Sequence, residues 1–287
     1  MNTPVKWAAE LAHLREVSLL GTADLAFWKD RLMKEDLLPA ESEGQAQLLI
    51  VAADARFWGV RFRELSFSVL VSRQEEGTPQ DAAYLLHAFN SCRLFAFCER
   101  VFFSTPYYHG YVGVSASFPA CIHLIKEGEV VFRAEMEANA SGPGREPSCR
   151  GEDGWEGPVF LPENRRGKGR QGNLFFARLR GYTLTYQCNP SKDSVTIRPS
   201  PDSENLQALV ASHFVAKEWA VREDATHAKS KTYKRAVVLA GVTHPDAPEP
   251  AAAPDRGRHI GFAPHQLLQR LRQVSWVVQS VPFPCRV

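Results

Sequence analysis

Between Arg56 and Val71 the chain alternates with period two. Phe57, Gly59, Arg61 and Arg63 fall on one side, and Trp58, Val60, Phe62 and Glu64 on the other. Beyond Glu64 the pattern continues as Ser66 and Ser68 against Phe67 and Val69. Successive side chains take opposite faces only in an extended strand, so the run predicts a strand, bent or bulged along its length. Shorter apolar stretches predict further strands at Arg15–Leu20, Gln47–Ala53 and Ala82–Ala88, the last after the loop Glu75-Glu76-Gly77-Thr78-Pro79. Tyr108–Ser117, Ala120–Lys126 and Glu129–Glu137 read as consecutive antiparallel strands, with Glu127-Gly128 as the last turn. Strands are also expected at Leu174–Gln187, Ser194–Arg198, Trp219–Arg222, Ala236–Val242 and Val274–Val281.

Helical signals are few. Thr22 or Asp24 can cap a helix reaching about Leu37, with Leu25, Trp28, Leu32 and Met33 on one face and Pro39 helping to stop it. A second helix is expected over about Asn90–Phe102, capped by Asn90 or Ser91, with Leu94, Phe95, Phe97, Cys98 and Val101 buried. Glu204–His213 and Gln266–Arg272 are the remaining helical stretches. From Ala140 to Gly172 glycine and proline accumulate, which predicts a long excursion interrupted by Val159-Phe160-Leu161 and holding the basic run Asn164–Arg170. Pro245–Pro254 reads as a flexible loop. Many strands, and one helix wedged between strands, predict a mainly β (α+β) chain with a closed or strongly curved antiparallel sheet.

Composition narrows the function classes. A formal net charge of +2, from 34 basic and 32 acidic side chains, gives no general drive toward nucleic acid or an anionic membrane. No apolar run reaches the roughly 18 residues of a membrane span. The opening MNTPVKWAAELAHLREVSLL lacks the apolar stretch of a signal peptide. The six cysteines form no C-x-x-C pair and no zinc-ligand spacing, so reduced thiols, a cytoplasmic location and no metal are expected. His87 and His123 read as core or surface histidines. The basic run lacks interleaved aromatics and fits a solvated loop, and no serine lies in a G-x-S-x-G setting.

The order of features resembles the acetoacetate decarboxylases and their uncharacterised relatives. The match runs over roughly residues 14–137. It includes Arg15-Glu16, the first helix with Leu38-Pro39, the strand from Gln47 and the strand with Phe62-Arg63-Glu64. It closes with the helix Asn90–Phe102 followed by Ser104-Thr105-Pro106-Tyr107-Tyr108. The resemblance implies a β-barrel of acetoacetate decarboxylase type with a few packed helices, as a single domain over 1–287 with an excursion at about 140–173. It also implies a polar site inside. Decarboxylases of this type place an imine-forming lysine after the proline, with a second lysine beside it. Here those positions are Tyr107 and Tyr108, and a phenol forms no imine. Lys126, well downstream, is not a replacement. Arg15 matches the substrate-side arginine, Glu64 one site glutamate, and the neutral Gln47 the other.

The expected site therefore has Glu64 as general acid or base, and Tyr107 and Tyr108 as donors to an oxyanion. Arg15 would bind a carboxylate, with Gln47 and His109 beside the substrate. Tyr108 and His109 alternate along a strand, so only one of them can point inward. No cofactor is expected. The partner class is a small-molecule carboxylate or ketone, with no nucleic acid and no membrane, and a homo-oligomer is left open. The activity expected is that of a lyase or isomerase without Schiff-base chemistry. A non-catalytic ligand-binding protein, or an interaction scaffold using the loop 164–170, is the alternative.

Overall fold

A computed structural model describes residues 5–72, 82–137, 145–162, 172–198 and 204–235. Glu75–Pro79, Asn164–Arg170, and the elements expected at Ala236–Val242, Pro245–Pro254, Gln266–Arg272 and Val274–Val281 lie outside the described residues. The first half of the chain runs β1 (Trp7–Asp24), α1 (Leu25–Met33), β2 (Leu38–Pro39), β3 (Glu41–Ser42), β4 (Gln45–Phe57), β5 (Val60–Ser72) and β6 (Ala82–Asn90). There follow α2 (Arg93–Phe102), β7 (Tyr107–His109), β8 (Tyr111–Ser115), β9 (Cys121–Lys126) and β10 (Glu129–Glu135). The described chain ends with β11 (Cys149–Phe160), β12 (Asn173–Gln187), β13 (Ser194–Ile197), α3 (Glu204–Ala211), β14 (Val215–Ser230) and β15 (Tyr233–Lys234).

Seven strands close on themselves in the order β5-β4-β1-β14-β12-β11-β6 and back to β5. Pairing is antiparallel except where β11 meets β6, at Val159↔Ala83 and Phe160↔Tyr84. A separate sheet of four strands runs β13-β10-β9-β8. Val17, Leu19, Leu48, Ile50, Leu65, Phe67, Trp219 and Val221 from the ring share one core with Ile122, Leu124 and Phe132 of the second sheet. Trp28 and Leu32 of α1 and Leu206 and Leu209 of α3 join the same core. Each such side chain, once fully buried, stabilises the fold by about 1.5–3 kcal/mol. A closed ring of about eight strands encloses little more than side chains. We therefore take the face bearing the second sheet as the outer one and the alternate residues as inward.

The inward residues are smaller and more polar. Ala83, Leu85, Val159, Leu161 and Phe175 form one apolar patch there, and Leu14, Ala53, Ala55, Phe62 and Ala225 another. Between these patches lie the polar residues described below.

Several expectations are corrected. The long alternating run is two strands: Trp58 and Gly59, with φ of 49° and 80°, make a two-residue turn between β4 and β5. Positive φ at both turn residues matches the twist of a hairpin, and glycine takes it without strain. The Gly/Pro-rich excursion contains a full strand, β11, paired with β12 from Cys149↔Thr185 to Phe160↔Leu174. Helix α2 begins at Arg93, with Cys92 as its cap residue, while the Asn90 side chain accepts from the Cys92 N–H at 2.8 Å. Its expected core face is largely outside: Leu94, Phe97 and Val101 are exposed and Ala96 is buried. Met33 of α1 is exposed as well, although Trp28 and Leu32 are buried and Asp24 caps the Phe27 N–H at 2.7 Å.

Candidate functional site

Strand register lays five inward residues side by side across the ring. Arg222 of β14 pairs with Glu16 of β1, Glu16 with Ala53 of β4, Ala53 with Glu64 of β5, and Glu64 with Asn90 of β6. Two carboxyl groups thus stand in one row with only an alanine between them. Their surroundings set them apart.

Glu16 is fully buried and fully partnered. Its Oε1 accepts from Arg222 Nη1 at 2.6 Å and from the Ser18 hydroxyl at 2.5 Å, and its Oε2 meets Nε2 of His227. Arg222 reaches onward to Asp153 at 2.9 Å. Burial alone would push the Glu16 carboxyl up, but His227, Arg222 and Ser18 outweigh it and hold the pKa down to about 2.

Glu64 has weaker company. Tyr107 donates its hydroxyl to Oε1 at 2.5 Å, and the Asn90 amide lies 3.5 Å from Oε2. Burial pushes the Glu64 carboxyl up and the negative charge of Glu99 adds to it, against the Tyr107 hydrogen bond and the positive Lys229 and His227. The Tyr107 hydroxyl is raised too, first by its own burial and then by Glu64. A carboxyl and a phenol that both resist ionising share one short hydrogen bond.

The third member is a cation. Lys229 follows His227 by two residues on β14, so both point to the same face. Its Nζ touches Oε2 of Glu99, which α2 brings over the ring, and Glu99 also accepts from the Thr105 hydroxyl at 2.9 Å. The ammonium lies 4.5 Å from the ring centre of Phe175, 5.0 Å from Phe103 and 5.4 Å from Tyr107. Ring faces attract a cation, so this position holds a charge against an otherwise apolar wall.

The residues singled out from the sequence do not all meet here. Glu64 and Tyr107 do, joined directly. Arg15 is exposed and does not converge on them. It belongs to the neighbouring row on the opposite face, Arg15–Asp54–Arg63, because Glu16 takes the inward slot. Gln47 faces the same way as Glu64 but sits beside Thr22, six residues from Ala53 along β4. At about 3.3 Å per residue that is roughly 20 Å from the cluster. Tyr108 is exposed and stacks on His87 with ring centres 4.4 Å apart, and His109 is exposed. Tyr108 turns to the other face; His109 shares the face of Tyr107 and of its partner Asn90 but lies exposed at the end of β7.

Sequence reasoning missed Glu16, Arg222, His227 and Lys229. The available signal was spacing: Ala225, His227 and Lys229 recur with period two, but charged side chains in that pattern read as a solvated strand. The arrangement offers proton donors and acceptors, a shielded cation and a buried carboxylate–imidazole contact. Among the described residues no group of three or more His, Cys, Asp or Glu could hold a metal ion.

No family model matches this chain, and no curated protein matches it. Solved structures do. An acetoacetate decarboxylase aligns at TM-score 0.53 and 12% identity, over 82% of this chain and 90% of that one. This is the acetoacetate decarboxylase-like fold. An acetoacetate decarboxylase-like enzyme from Sphingomonas wittichii RW1 shares it at TM-score 0.50 and 12% identity, covering 78% of this chain and 91% of its own. So does the enduracididine biosynthesis enzyme MppR complexed with pyruvate, at TM-score 0.51 and 12% identity, over 82% and 91% of the two chains. At such identity the likeness speaks for the fold, and the site has to be argued from its own residues. Among the described residues, no helix of this acetoacetate decarboxylase-like fold is long and apolar enough to cross a membrane.

Proposed function

We propose that the inward cluster binds a small organic acid or ketone and moves protons on it, as a lyase or isomerase does, without forming an imine. The observation that carries this is the 2.5 Å hydrogen bond from Tyr107 to Glu64, with Lys229 against the same tyrosine ring. A carboxyl whose pKa burial raises is better matched to proton transfer near neutral pH than an ordinary one. The tyrosine hydroxyl can turn to an oxygen that becomes negative in the transition state, and Lys229 adds charge stabilisation from the apolar side.

The carboxylate-binding role expected of Arg15 passes to Lys229. Leu49, Val51, Ser66 and Leu70 turn inward yet keep partial exposure, which supports entry of a small molecule. Pyruvate bound to MppR, on the same fold, makes a small 2-oxo acid a fitting first probe. The Glu99 contact and three aromatic faces fit Lys229 as a fixed cation better than as an attacking amine.

The test is a heteronuclear NMR titration with pyruvate and with its neutral amide. Shifts centred on Tyr107, Glu64 and Lys229, stronger for the acid, are expected. Shifts confined to the exposed face, or none with either compound, would overturn the reading. Borohydride reduction in the presence of pyruvate or acetoacetate should leave the protein mass unchanged. An adduct on Lys229 would show that the amine, not the carboxyl–phenol pair, does the chemistry.

A further inference from the structure

The reading above leaves His227 without a task, although its ring meets Glu16 and its charge acts on Glu64. Along β14 its paired neighbours are Leu11 of β1 and Leu179 of β12, both apolar, so its ring has to find a polar partner elsewhere. It finds Glu16, whose Oε2 meets Nε2. Glu16 cannot swing away from that contact, because Arg222 and Ser18 hold its other oxygen and the residue is fully buried. An ionised carboxylate only accepts hydrogen bonds. In the neutral imidazole the proton therefore belongs on Nε2, and Nδ1, on the opposite side of the ring, keeps its lone pair. The side chain retains 27% exposure, so the imidazole is not sealed in the core. Lys229 lies two residues further on the same face, and Glu64 is close enough to feel the charges of both His227 and Lys229.

We propose that His227 is a general base that takes the proton from the carbon beside the ligand's carbonyl, with Glu16 as its positioning residue. The proposal rests on reading this site as one for an organic acid or ketone. In the step, the carbon–hydrogen bond breaks and its proton moves to Nδ1 of His227. The electron pair forms the carbon–carbon double bond of an enolate, and the carbonyl oxygen takes the negative charge. That oxygen accepts from the Tyr107 hydroxyl beside the Lys229 ammonium. The Nδ1 proton exchanges with solvent, delivery of a solvent-derived proton from Nδ1 to carbon restores the ligand, and no oxidant or co-reactant is consumed. Glu16 keeps the ring in the Nε2–H tautomer and stabilises the imidazolium that forms.

The experiment follows loss of the pyruvate methyl signal in heavy water, with affinity measured in parallel on the same samples. Wild-type protein should exchange the methyl protons faster than buffer alone. His227→Gln should slow exchange by at least about 100-fold while pyruvate still binds. Added imidazole should restore part of the rate to His227→Ala. Glu16→Gln should change the pH profile of exchange and mix the tautomers seen in the His227 ring nitrogen shifts. Glu16→Asp, which keeps the charge but retracts it by one carbon, should slow exchange without weakening binding, and covers the case in which Glu16→Gln does not fold. Binding with exchange unchanged in His227→Gln would overturn this inference alone. No binding to the wild-type protein would overturn the underlying reading and this inference with it.

Discussion

Two adjacent rows cross the same three strands and meet opposite fates. On one face, Arg15, Asp54 and Arg63 stand together, with Asp54 also held by Arg61 at 2.8 Å and 2.5 Å. One residue along and on the other face, Glu16, Ala53 and Glu64 stand together, flanked by Arg222 and Asn90. Arg15 and Arg61 are exposed, so their charges remain solvated. Glu16 and Arg222 are buried, so each depends on the other to offset the loss of water. A shift of one residue therefore decides whether a charge is surface decoration or a fixed electrostatic element facing the ring's interior.

The largest effect should come from breaking the inward row. Arg222→Met removes one partner of a carboxylate that has no access to water, and should cost about 3–5 kcal/mol in urea denaturation. A cost below about 1 kcal/mol, the range of exposed pairs, would mean that the two rows do not differ as described.

Next comes pH. Glu16 is held near 2 in the folded protein against an ordinary value of 4.5, so the unfolded chain binds its proton first as pH falls. The stability it contributes is present above about pH 4.5 and is lost between there and pH 2, by about 3 kcal/mol. Glu64, in the same row, is shifted upward. Its contribution has the opposite sign: it is fully present below about 4.5 and is lost as pH rises through the raised value. Glu64→Gln should flatten the fall above 4.5 and leave the acid limb in place. An acid limb that disappears in Glu64→Gln would assign the two carboxyls the wrong way round.

A smaller change is expected from Tyr107→Phe, which leaves Glu64 without its short hydrogen bond. A loss of about 1–3 kcal/mol is expected by thermal or chemical melting. Smallest of all, Arg61→Ala should change stability by no more than about 1 kcal/mol, since its guanidinium is exposed and Asp54 keeps Arg63 as a partner.

How much of this was legible beforehand follows from what each strand shows to solvent. The β4 and β5 stretches advertise themselves, because apolar residues alternate cleanly there, although the Trp58-Gly59 turn hides inside the same alternation. Glu64 and Tyr107 came from an ordered likeness to a family, not from spacing alone. The parity of β1 was not readable. Its pairing with β14 slips between Leu11 and Leu14 and again between Leu14 and Glu16, and pattern alone does not say which of Arg15 and Glu16 turns inward. The far half of β14, beyond the expected Trp219–Arg222, was invisible for a different reason: its inward slots carry His227 and Lys229, and charges on a strand ordinarily mean water. β11 was missed because glycines and acids fill its first half. The amphipathic pattern of α2 was plain, but what covers a helix is decided by its neighbours, and here its apolar side is left largely exposed.

The central claim is that the cation serving this site is Lys229, on the inward face, and not Arg15. Calorimetric titration of a small 2-oxo acid and its neutral amide against wild type, Arg15→Ala and Lys229→Met tests it directly. The account predicts a preference for the acid in wild type that survives Arg15→Ala and disappears in Lys229→Met. A preference that vanishes in Arg15→Ala and persists in Lys229→Met would contradict it.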